Sequence, residues 1–166
     1  MAPPKKPAPA KGELVSLTRN RKAFHDYEIV EKLEAGVELR GTEVKSARAG
    51  HASLVGAWAH VDRETNEAWL DNASIQPYEC GNIHNHATTR MRRLLLHRRE
   101  ILRLRAFTER KGNTLVPLEL YLKRGRVKLL LGVCRGKTEY DKREMIKRRE
   151  DDRTARRVIA AHLRRG

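Results

Sequence analysis

Cysteine and long apolar runs are scarce in this sequence of 166 residues. Cys80 and Cys134 are its two cysteines, too few for a disulfide framework, so we expect both thiols to be reduced. No stretch approaches the roughly 18 apolar residues that a membrane-spanning helix requires. Residues 1–12 are mostly Pro, Ala and Lys and lack the apolar run of a signal peptide. We therefore expect a cytoplasmic protein that makes no contact with a membrane.

Acidic and aromatic residues are also in short supply. The chain has 21 Asp and Glu against 36 Lys and Arg, a formal net charge of +15. Such a charge predicts a polyanionic partner, and without a membrane segment we expect nucleic acid. Two Trp, four Tyr and two Phe are few for a protein that stacks many unpaired bases. The composition thus favours a protein that recognises the shape and backbone of structured RNA.

The sequence lacks the motifs of the common catalytic sites. Ser46 and Ser53 lie in no nucleophile-elbow pattern, and no glycine loop has the spacing that cradles phosphate. No Asp or Glu lies at a sequence spacing from His51 or His60 that would indicate a catalytic pair. We therefore expect a protein that is not an enzyme and that holds no cofactor and no metal.

Two chemical alternatives remain open at this stage. A small nuclease would use His25 or His51 as its catalytic base. A zinc module would use Cys80, His84 and His86, but a structural zinc site takes four ligands and the second pair is missing.

Composition divides the chain into three segments. Residues 1–16 form a Pro, Ala and Lys arm that we expect to be disordered, because it cannot bury enough apolar surface to fold. Residues 17–136 form the folded domain, and residues 137–166 form a basic tail. Residues 139–166 hold ten Lys or Arg and six Asp or Glu, so most of the positive charge lies before the tail. We expect the tail to be disordered when free and helical when bound; the alternative is a permanent helix docked on the domain.

Hydrophobic periodicity predicts a mostly β domain with helices. We expect order to begin after Arg19, and a bulge or bend at Ala35-Gly36. The predicted strands are Tyr27–Leu39, Leu54–Val61, Ala68–Ile75, Val116–Leu122 and Val127–Val133, with the last two joined by a turn at Arg124-Gly125. A short helix is predicted within Gly41–Gly50 and a long one over Thr89–Glu109. This order predicts a closed antiparallel barrel of the oligonucleotide-binding type, although a split sandwich would share it.

Six short runs in register carry a family resemblance. They are Asn20-Arg21-Lys22-Ala23-Phe24-His25-Asp26-Tyr27-Glu28-Ile29, Glu34-Ala35-Gly36-Val37-Glu38-Leu39 with Gly41-Thr42-Glu43-Val44-Lys45-Ser46, Arg93-Leu94-Leu95-Leu96-His97, Val116-Pro117-Leu118, Gly132-Val133-Cys134-Arg135-Gly136-Lys137 and Tyr140-Asp141-Lys142-Arg143. Over about residues 17–150 the chain resembles the small protein B family, the SsrA-binding proteins of bacterial trans-translation. The resemblance implies an oligonucleotide-binding-type barrel with three helices.

The same resemblance implies a function and partners. The family binds the tRNA-like domain of transfer-messenger RNA (tmRNA, or SsrA RNA) and delivers it to stalled ribosomes, so that incomplete proteins are tagged. The barrel stands in for the missing lower half of a tRNA, and the tail enters the empty mRNA path at the decoding centre. The resemblance also leads us to expect a monomer that meets elongation factor Tu indirectly and catalyses nothing. The alternative is a general binder of structured RNA or ribosomal RNA.

Site residues follow from the resemblance, position by position. The implied tmRNA-binding residues are Asn20, Arg21, Lys22, His25, Glu34, Lys45, Ser46 and Arg48. The implied ribosome-contacting residues are Lys137, Tyr140, Asp141, Lys142, Arg143 and Lys147. Lys and Arg suit phosphates, whereas Asn, His and Glu suit sugar hydroxyls and base edges. Glu34, a carboxylate in a basic patch, is expected to accept a bond from a base or to fix a neighbouring arginine.

Overall fold

The computed structural model describes residues 14–81 and 85–137, together with residues 150, 153 and 154. The predicted arm up to residue 13 and most of the predicted tail lie outside the described residues. Within them the chain is mostly β, with three helices, as predicted. The helices are α1 (Arg21–Asp26), α2 (Gly41–Arg48) and α3 (Arg98–Thr108). The strands are β1 (Val15–Arg19), β2 (Tyr27–Val37), β3 (Ala52–Ser53), β4 (Trp58–Val61), β5 (Ala68–Asp71), β6 (Ser74–Ile75), β7 (Arg92–Leu95), β8 (Asn113–Lys123) and β9 (Arg126–Gly136).

The start of the chain corrects the sequence prediction. Strand β1 already begins at Val15, two residues inside the expected disordered arm, and α1 intervenes where one opening strand was expected. Helix α1 has six residues, which is too short for a helical period to appear in the sequence.

The predicted helix Thr89–Glu109 was wrong in its first half. Residues Arg92–Leu95 form β7, with Arg92 and Leu94 buried and Arg93 and Leu95 exposed. This alternation has period two, but a four-residue segment that directly precedes a true helix cannot be separated from that helix by pattern alone. Helix α3 begins only after His97.

Seven strands form one antiparallel sheet in the order β1-β8-β4-β5-β7-β2-β9. Strand β8 also pairs along its length with β9, so the strands from β8 through β4, β5, β7 and β2 to β9 are paired in a ring. Strands β3 and β6 form a separate two-stranded sheet. None of the helices among the described residues is long and apolar enough to span a membrane.

The two faces of the β8–β9 pair carry different apolar clusters. The larger, inner cluster contains Leu115, Leu120, Leu129, Leu131 and Val133, and α3 adds the buried Leu104. The smaller, outer cluster packs α1 on the other face and consists of Ala23, Val116, Leu118 and Cys134. Helices α1 and α3 therefore lie on opposite faces of the β8–β9 pair.

Bulges explain why the apolar residues of two predicted strands, Tyr27–Leu39 and Val116–Leu122, divide between these clusters. The register of β2 shifts at Val30, and that of β8 shifts at Leu118. One extra residue sends the following side chains to the other face of a strand. The expected bulge at Ala35-Gly36 was wrong, because pairing with β9 runs through both residues. Gly36 instead permits a close approach: a Cβ there would lie 3.0 Å from Leu95 Cβ.

A buried ionic network joins α2 to β7. Both carboxylate oxygens of Glu43 accept bonds from Arg90, at 2.9 and 2.6 Å, and Arg92 Nη2 lies 2.9 Å from Glu43 Oε1. The side chain of Arg92 is 1 % exposed and that of Glu43 6 %. Arg92 also donates to the carbonyl oxygens of Ala73, Thr88 and Arg90. Both arginines lie within the segment Thr89–Glu109 that was predicted to be helical.

Candidate nucleic-acid interface

Asn20 caps α1 and is buried. Its Oδ1 accepts from the backbone N–H of Ala23 at 3.1 Å, and its Nδ2 donates to the carbonyls of Leu54 at 3.0 Å and Pro117 at 3.1 Å. The amide group is thus engaged by three segments of the protein. Asn20 therefore holds the start of α1, where Arg21 and Lys22 are exposed.

Asn20→Ala is expected to lower the free energy of unfolding by about 2–3 kcal/mol. The change removes a helix cap, which costs about 1 kcal/mol, and leaves two buried carbonyls without their donor. Urea denaturation measures the loss. Arg21→Ala, next in the chain and exposed, is the control and is expected to change stability by less than about 0.5 kcal/mol. Equal stability of Asn20→Ala and wild type would contradict the capping role.

A cationic cluster surrounds α1. The guanidinium of Arg19 lies over the Phe24 ring, 4.7 Å from its centroid, and Lys32 Nζ lies 6.0 Å from the same centroid. These contacts are cation–π interactions, which hold both charges at the Phe24 ring of α1. Sequence analysis missed Arg19 and Lys32, since their shared contact with Phe24 is made only when β1, α1 and β2 come together.

Lys137 reaches the C-terminal end of α1. Its Nζ lies 3.4 Å from the carbonyl oxygens of both Phe24 and His25, and its backbone N–H donates to Asp26. A cation is favoured at this end of a helix. His25 Nδ1 lies 2.9 Å from Asp26 Oδ1. The structure therefore brings Lys137, predicted as a tail residue, to the predicted RNA-binding residue His25. Tyr140, Asp141, Lys142, Arg143 and Lys147 lie outside the described residues.

Helix α2 positions three further predicted residues. Ser46 is buried, and its hydroxyl donates to the carbonyl of Gln76 at 2.6 Å. Lys45 is exposed, with its Nζ 5.4 Å from the centroid of the Tyr78 ring. Arg48 is exposed and donates at 3.5 Å to the carbonyl of Gly125, in the turn between β8 and β9. Ser46 thus anchors α2, whereas Lys45 and Arg48 present charge to solvent.

Glu34 lies at the centre of a cross-strand cluster on β2, β8 and β9. Its Oε2 accepts from Tyr121 at 2.6 Å and from Lys123 at 2.7 Å, and Lys128 Nζ lies 3.9 Å from its Oε1. The bond from Lys123, followed by that from Tyr121, holds the pKa of Glu34 below its ordinary value. Burial and the bond to Glu34 raise the pKa of Tyr121. The expected arginine partner is replaced by two lysines and a tyrosine, so the cluster remains cationic.

Trp58 is the exposed aromatic residue nearest to α1. Its side chain is 48 % exposed, and with Lys22 and Tyr27 it lines an open cleft of ≈ 350 Å³. The register of β4 with β5 places Asp71 opposite Trp58. The Trp58 ring instead lies against His60, with centroids 5.0 Å apart. An exposed ring beside a lysine is suited to stacking on a base.

For the nuclease alternative, His25 Nδ1 lies 2.9 Å from Asp26 Oδ1. The zinc alternative depends on a group of Cys and His side chains. Within residues 14–81 and 85–137, no group of three or more His, Cys, Asp or Glu side chains is placed to hold a metal ion. His84, needed for the zinc alternative, lies outside the described residues. Burial raises the pKa of the Cys134 thiol to about 11, which leaves it protonated and unreactive near neutral pH.

A mostly β fold, a net charge of +15 and exposed basic clusters are together typical of the class of RNA-binding proteins. The family model described as SmpB protein matches residues 17–161. The chain is 52 % identical over 152 residues to the SsrA-binding protein of Streptococcus pneumoniae (strain P1031), covering 92 % of this chain and 97 % of the relative. It is also 52 % identical over 149 residues to the SsrA-binding protein of Geobacillus sp. (strain WCH70), covering 90 % and 95 %.

A solved structure described as "tmRNA-SmpB: a journey to the center of the bacterial ribosome" contains a similar chain. The TM-score is 0.63 at 47 % identity, and the match covers 79 % of this chain and 94 % of that one. The chain belongs to the SmpB protein family. The resemblance seen in the sequence is confirmed, and membership makes this an RNA-binding protein and not an enzyme.

Proposed function

We propose that this protein binds the tRNA-like domain of tmRNA and delivers that RNA to stalled ribosomes in trans-translation. The names of its relatives and the tmRNA–SmpB structure support this partner. The structural observation that carries the proposal is α1: buried Asn20 fixes a helix start at which Arg21 and Lys22 are exposed. Such a fixed pair of cations suits phosphates at defined positions of a folded RNA.

We further propose that the paired ring of strands is an oligonucleotide-binding-type barrel. The pairing of β8 with both β4 and β9 supports closure, and the all-antiparallel order fits this architecture. The proposed folded domain, residues 17–136, includes the strands β1 to β9 apart from the first two residues of β1. The barrel would then present α1 on its outside and hold α3 against the inner cluster.

The predicted site residues divide by role in this proposal. Arg21, Lys22, Lys45 and Arg48 contact phosphates directly, and His25 contacts a sugar or a base. Asn20 and Ser46 are buried and act by positioning α1 and α2. Glu34 orders Lys123 and Lys128, so the cluster around it offers cations at fixed places. Arg19, Lys32 and Trp58 join the interface.

The tail completes the proposed mechanism. Lys137 marks its start beside α1. The proposed contacts with the ribosomal decoding centre and mRNA path are made by Tyr140, Asp141, Lys142, Arg143 and Lys147. Elongation factor Tu is met only through the tmRNA complex. The protein acts as a cytoplasmic monomer. The family resemblance is the basis for these roles. Truncation after Gly136 tests the role of the tail in tagging.

The alternative function is general binding of structured RNA or ribosomal RNA, favoured by the charge of +15. A titration with isolated tRNA-like domain, ordinary tRNA as competitor and varied salt separates the two. We expect binding to survive excess tRNA. We also expect the salt slope, which is the slope of the logarithm of the binding constant against the logarithm of the salt concentration, to correspond to a few phosphate contacts. Equal affinity for both RNAs with a steep salt slope would favour the general binder.

Arg21→Gln combined with Lys22→Gln is expected to weaken binding to the tRNA-like domain by about tenfold and to reduce the salt slope by about two, because each lost phosphate contact contributes roughly 0.9. Arg99→Gln with Arg103→Gln, two exposed arginines of α3, removes the same charge on the opposite face of the β8–β9 pair. That control is expected to stay within about twofold of wild type. An equal loss in both variants would refute the α1 interface.

A further inference from the structure

Tyr121 reaches Glu34 across an intervening strand. Strand β9 lies between β2 and β8, so Glu34 of β2 and Tyr121 of β8 are separated by two strand spacings, or about 10 Å. On β9 the register places Leu130 opposite Glu34 and Lys128 opposite Tyr121. The Tyr121 hydroxyl nevertheless donates to Glu34 Oε2 at 2.6 Å. The two side chains therefore lean toward each other over β9.

The two carboxylate oxygens of Glu34 have different surroundings. Oε2 accepts from Tyr121 at 2.6 Å and from Lys123 at 2.7 Å. Lys128 Nζ lies 3.9 Å from Oε1, which is too far for a hydrogen bond. An ionised carboxylate has about four lone-pair sites, so two donors on one oxygen do not exhaust it. Oε2 is thus held by two residues of β8, and Oε1 can accept from a ligand.

The Tyr121 hydroxyl is committed to this bond. Burial, the bond to Glu34 and the charges of Glu34 and Glu119 raise the pKa of Tyr121, so the hydroxyl stays protonated and remains a donor. After the bond from Lys123, the bond from Tyr121 is the largest cause of the lowered pKa of Glu34. The hydroxyl therefore favours the ionised form of Glu34, in which both oxygens are acceptors.

Charge alone makes Glu34 unfavourable to RNA, because a carboxylate repels phosphate. An ordered carboxylate oxygen is suited instead to a donor, such as a ribose hydroxyl or the amino group of a base. The Glu34 side chain is 36 % exposed and lines an open cavity of ≈ 490 Å³, which gives such a group room to approach. The value of Glu34 to RNA binding then depends on how well its carboxylate is held.

We propose that Tyr121 is a positioning residue of the tmRNA interface, which holds the Glu34 carboxylate so that Oε1 accepts from a ribose hydroxyl or a base amino group. Tyr121 acts through Glu34. The proposal rests on the proposed function in one respect, namely that the RNA is tmRNA. The effect of Tyr121 on Glu34 itself is measured on the protein without RNA.

Tyr121→Phe tests the proposal because it keeps the ring and removes the donor. In the free protein the pKa of Glu34, followed by NMR of its carboxyl carbon, is expected to rise. Binding to the tRNA-like domain at neutral pH is expected to weaken by about fivefold, the effect of one hydrogen bond. The salt slope should not change, because no cation is lost. Tyr78→Phe, which keeps its ring beside Lys45, is the control and should stay within about twofold of wild type. Thermal denaturation checks that every variant is folded.

Glu34→Gln separates an acceptor from a merely repulsive charge. If the carboxylate only repels phosphate, its neutralisation tightens binding. We expect weaker binding instead, because the amide oxygen takes the bonds from Tyr121 and Lys123 and an amino donor replaces Oε1. Tyr121→Phe combined with Glu34→Gln should bind within about twofold of Glu34→Gln alone, since residues that act through one contact are not additive.

The pH profile of binding is a readout that a purely structural role would not move. The pKa of Glu34 lies below its ordinary value of 4.5, so the ionised acceptor is present above that pKa and is lost as pH falls through it. Tyr121→Phe should therefore lose affinity at a higher pH than wild type. The other charged groups of the cluster and the cavity are common to both proteins and cancel in the comparison: Glu119, Lys123, Lys128, Glu67, Arg93, His97 and Glu100.

Three results would overturn the proposal. The first is an unchanged Glu34 pKa or unchanged RNA affinity in Tyr121→Phe. The second is tighter binding by Glu34→Gln, which would make the carboxylate only a repulsive charge. The third is full additivity in the double variant, which would mean that Tyr121 contacts RNA by itself. Failure of the wild-type protein to prefer tmRNA over tRNA would refute the proposed function instead, and the Glu34 pKa in the free protein would still report on Tyr121.

Discussion

Replacing Glu43 by alanine is expected to lower the free energy of unfolding by about 3–5 kcal/mol, because removal of one partner leaves a buried charge uncompensated. That charge is Arg92, whose side chain is 1 % exposed. Glu43 also accepts from the backbone N–H of Arg40 at 2.8 Å and so caps α2. Its loss therefore weakens both the helix start and the contact between α2 and β7.

The pH dependence of stability provides a second readout for Glu43. Burial raises its pKa, but the bond from Arg90, the bond from the Arg40 N–H and the charges of both arginines outweigh burial and lower it. A carboxyl with a depressed folded pKa stabilises the protein above its unfolded pKa, near 4.5. This contribution is lost as pH falls below that value. The acid limb of the stability curve is the fall in the free energy of unfolding at low pH. Glu43→Gln should make this fall shallower.

Urea denaturation at neutral and acidic pH measures both effects. Glu64→Ala removes an exposed carboxylate in the turn between β4 and β5 and serves as the control, with an expected change below about 0.5 kcal/mol. A neutral-pH loss for Glu43→Ala no greater than that of the control would show that the buried network contributes little. A Glu43→Gln variant that loses stability at low pH as steeply as wild type would contradict the link between the Glu43 pKa and stability.

Truncation after Gly136 is expected to abolish tagging of incomplete proteins while binding to the tRNA-like domain remains within about threefold of wild type. The proposed RNA contacts on α1, α2 and around Glu34 all precede the cut, and removal of the Lys137 cation accounts for the small loss expected. The proposed decoding-centre contacts all follow the cut. Reconstituted translation on a message without a stop codon, supplied with tmRNA, measures tagging.

A length-matched control separates tail chemistry from tail length. Residues 138–166 are replaced by a flexible Gly/Ser segment of equal length. We expect this chimera to bind tmRNA and to fail in tagging. Normal tagging by the truncated protein or the chimera would remove the tail sequence from the mechanism. Loss of tmRNA binding in both would instead show that the tail belongs to the tmRNA interface.

The best sequence predictions concerned long elements with a clear period. The hairpin of β8 and β9 was expected around Arg124-Gly125, and the structure has its turn there, with Arg124 at φ +50° and Gly125 at φ +75°. Strand β2 and helix α2 were also expected, because alternation over eleven residues and flanking glycines are local signals. Helix α1, with six residues, was missed, and strand β7, with four, was misassigned, because each contains too few repeats.

Side-chain partners were harder to predict than elements. Glu34 was identified from the resemblance, but its partners Tyr121, Lys123 and Lys128 come from two other strands. Their proximity depends on the register of β2 with β9 and of β9 with β8. A bulge at Val30 or Leu118 changes which side chains share a face.

The sequence by itself determined the chemical class: a charge of +15, few aromatics and alternating strands predict a basic, mostly β RNA-binding protein. These properties are sums or local patterns, so they need no three-dimensional information. Only the tertiary structure decided which arginines are available. Arg92 is buried on Glu43 and Arg99 is exposed, although both belong to one predicted helix. The physical reason is that burial depends on strand register and on the face that packs, which non-local contacts set.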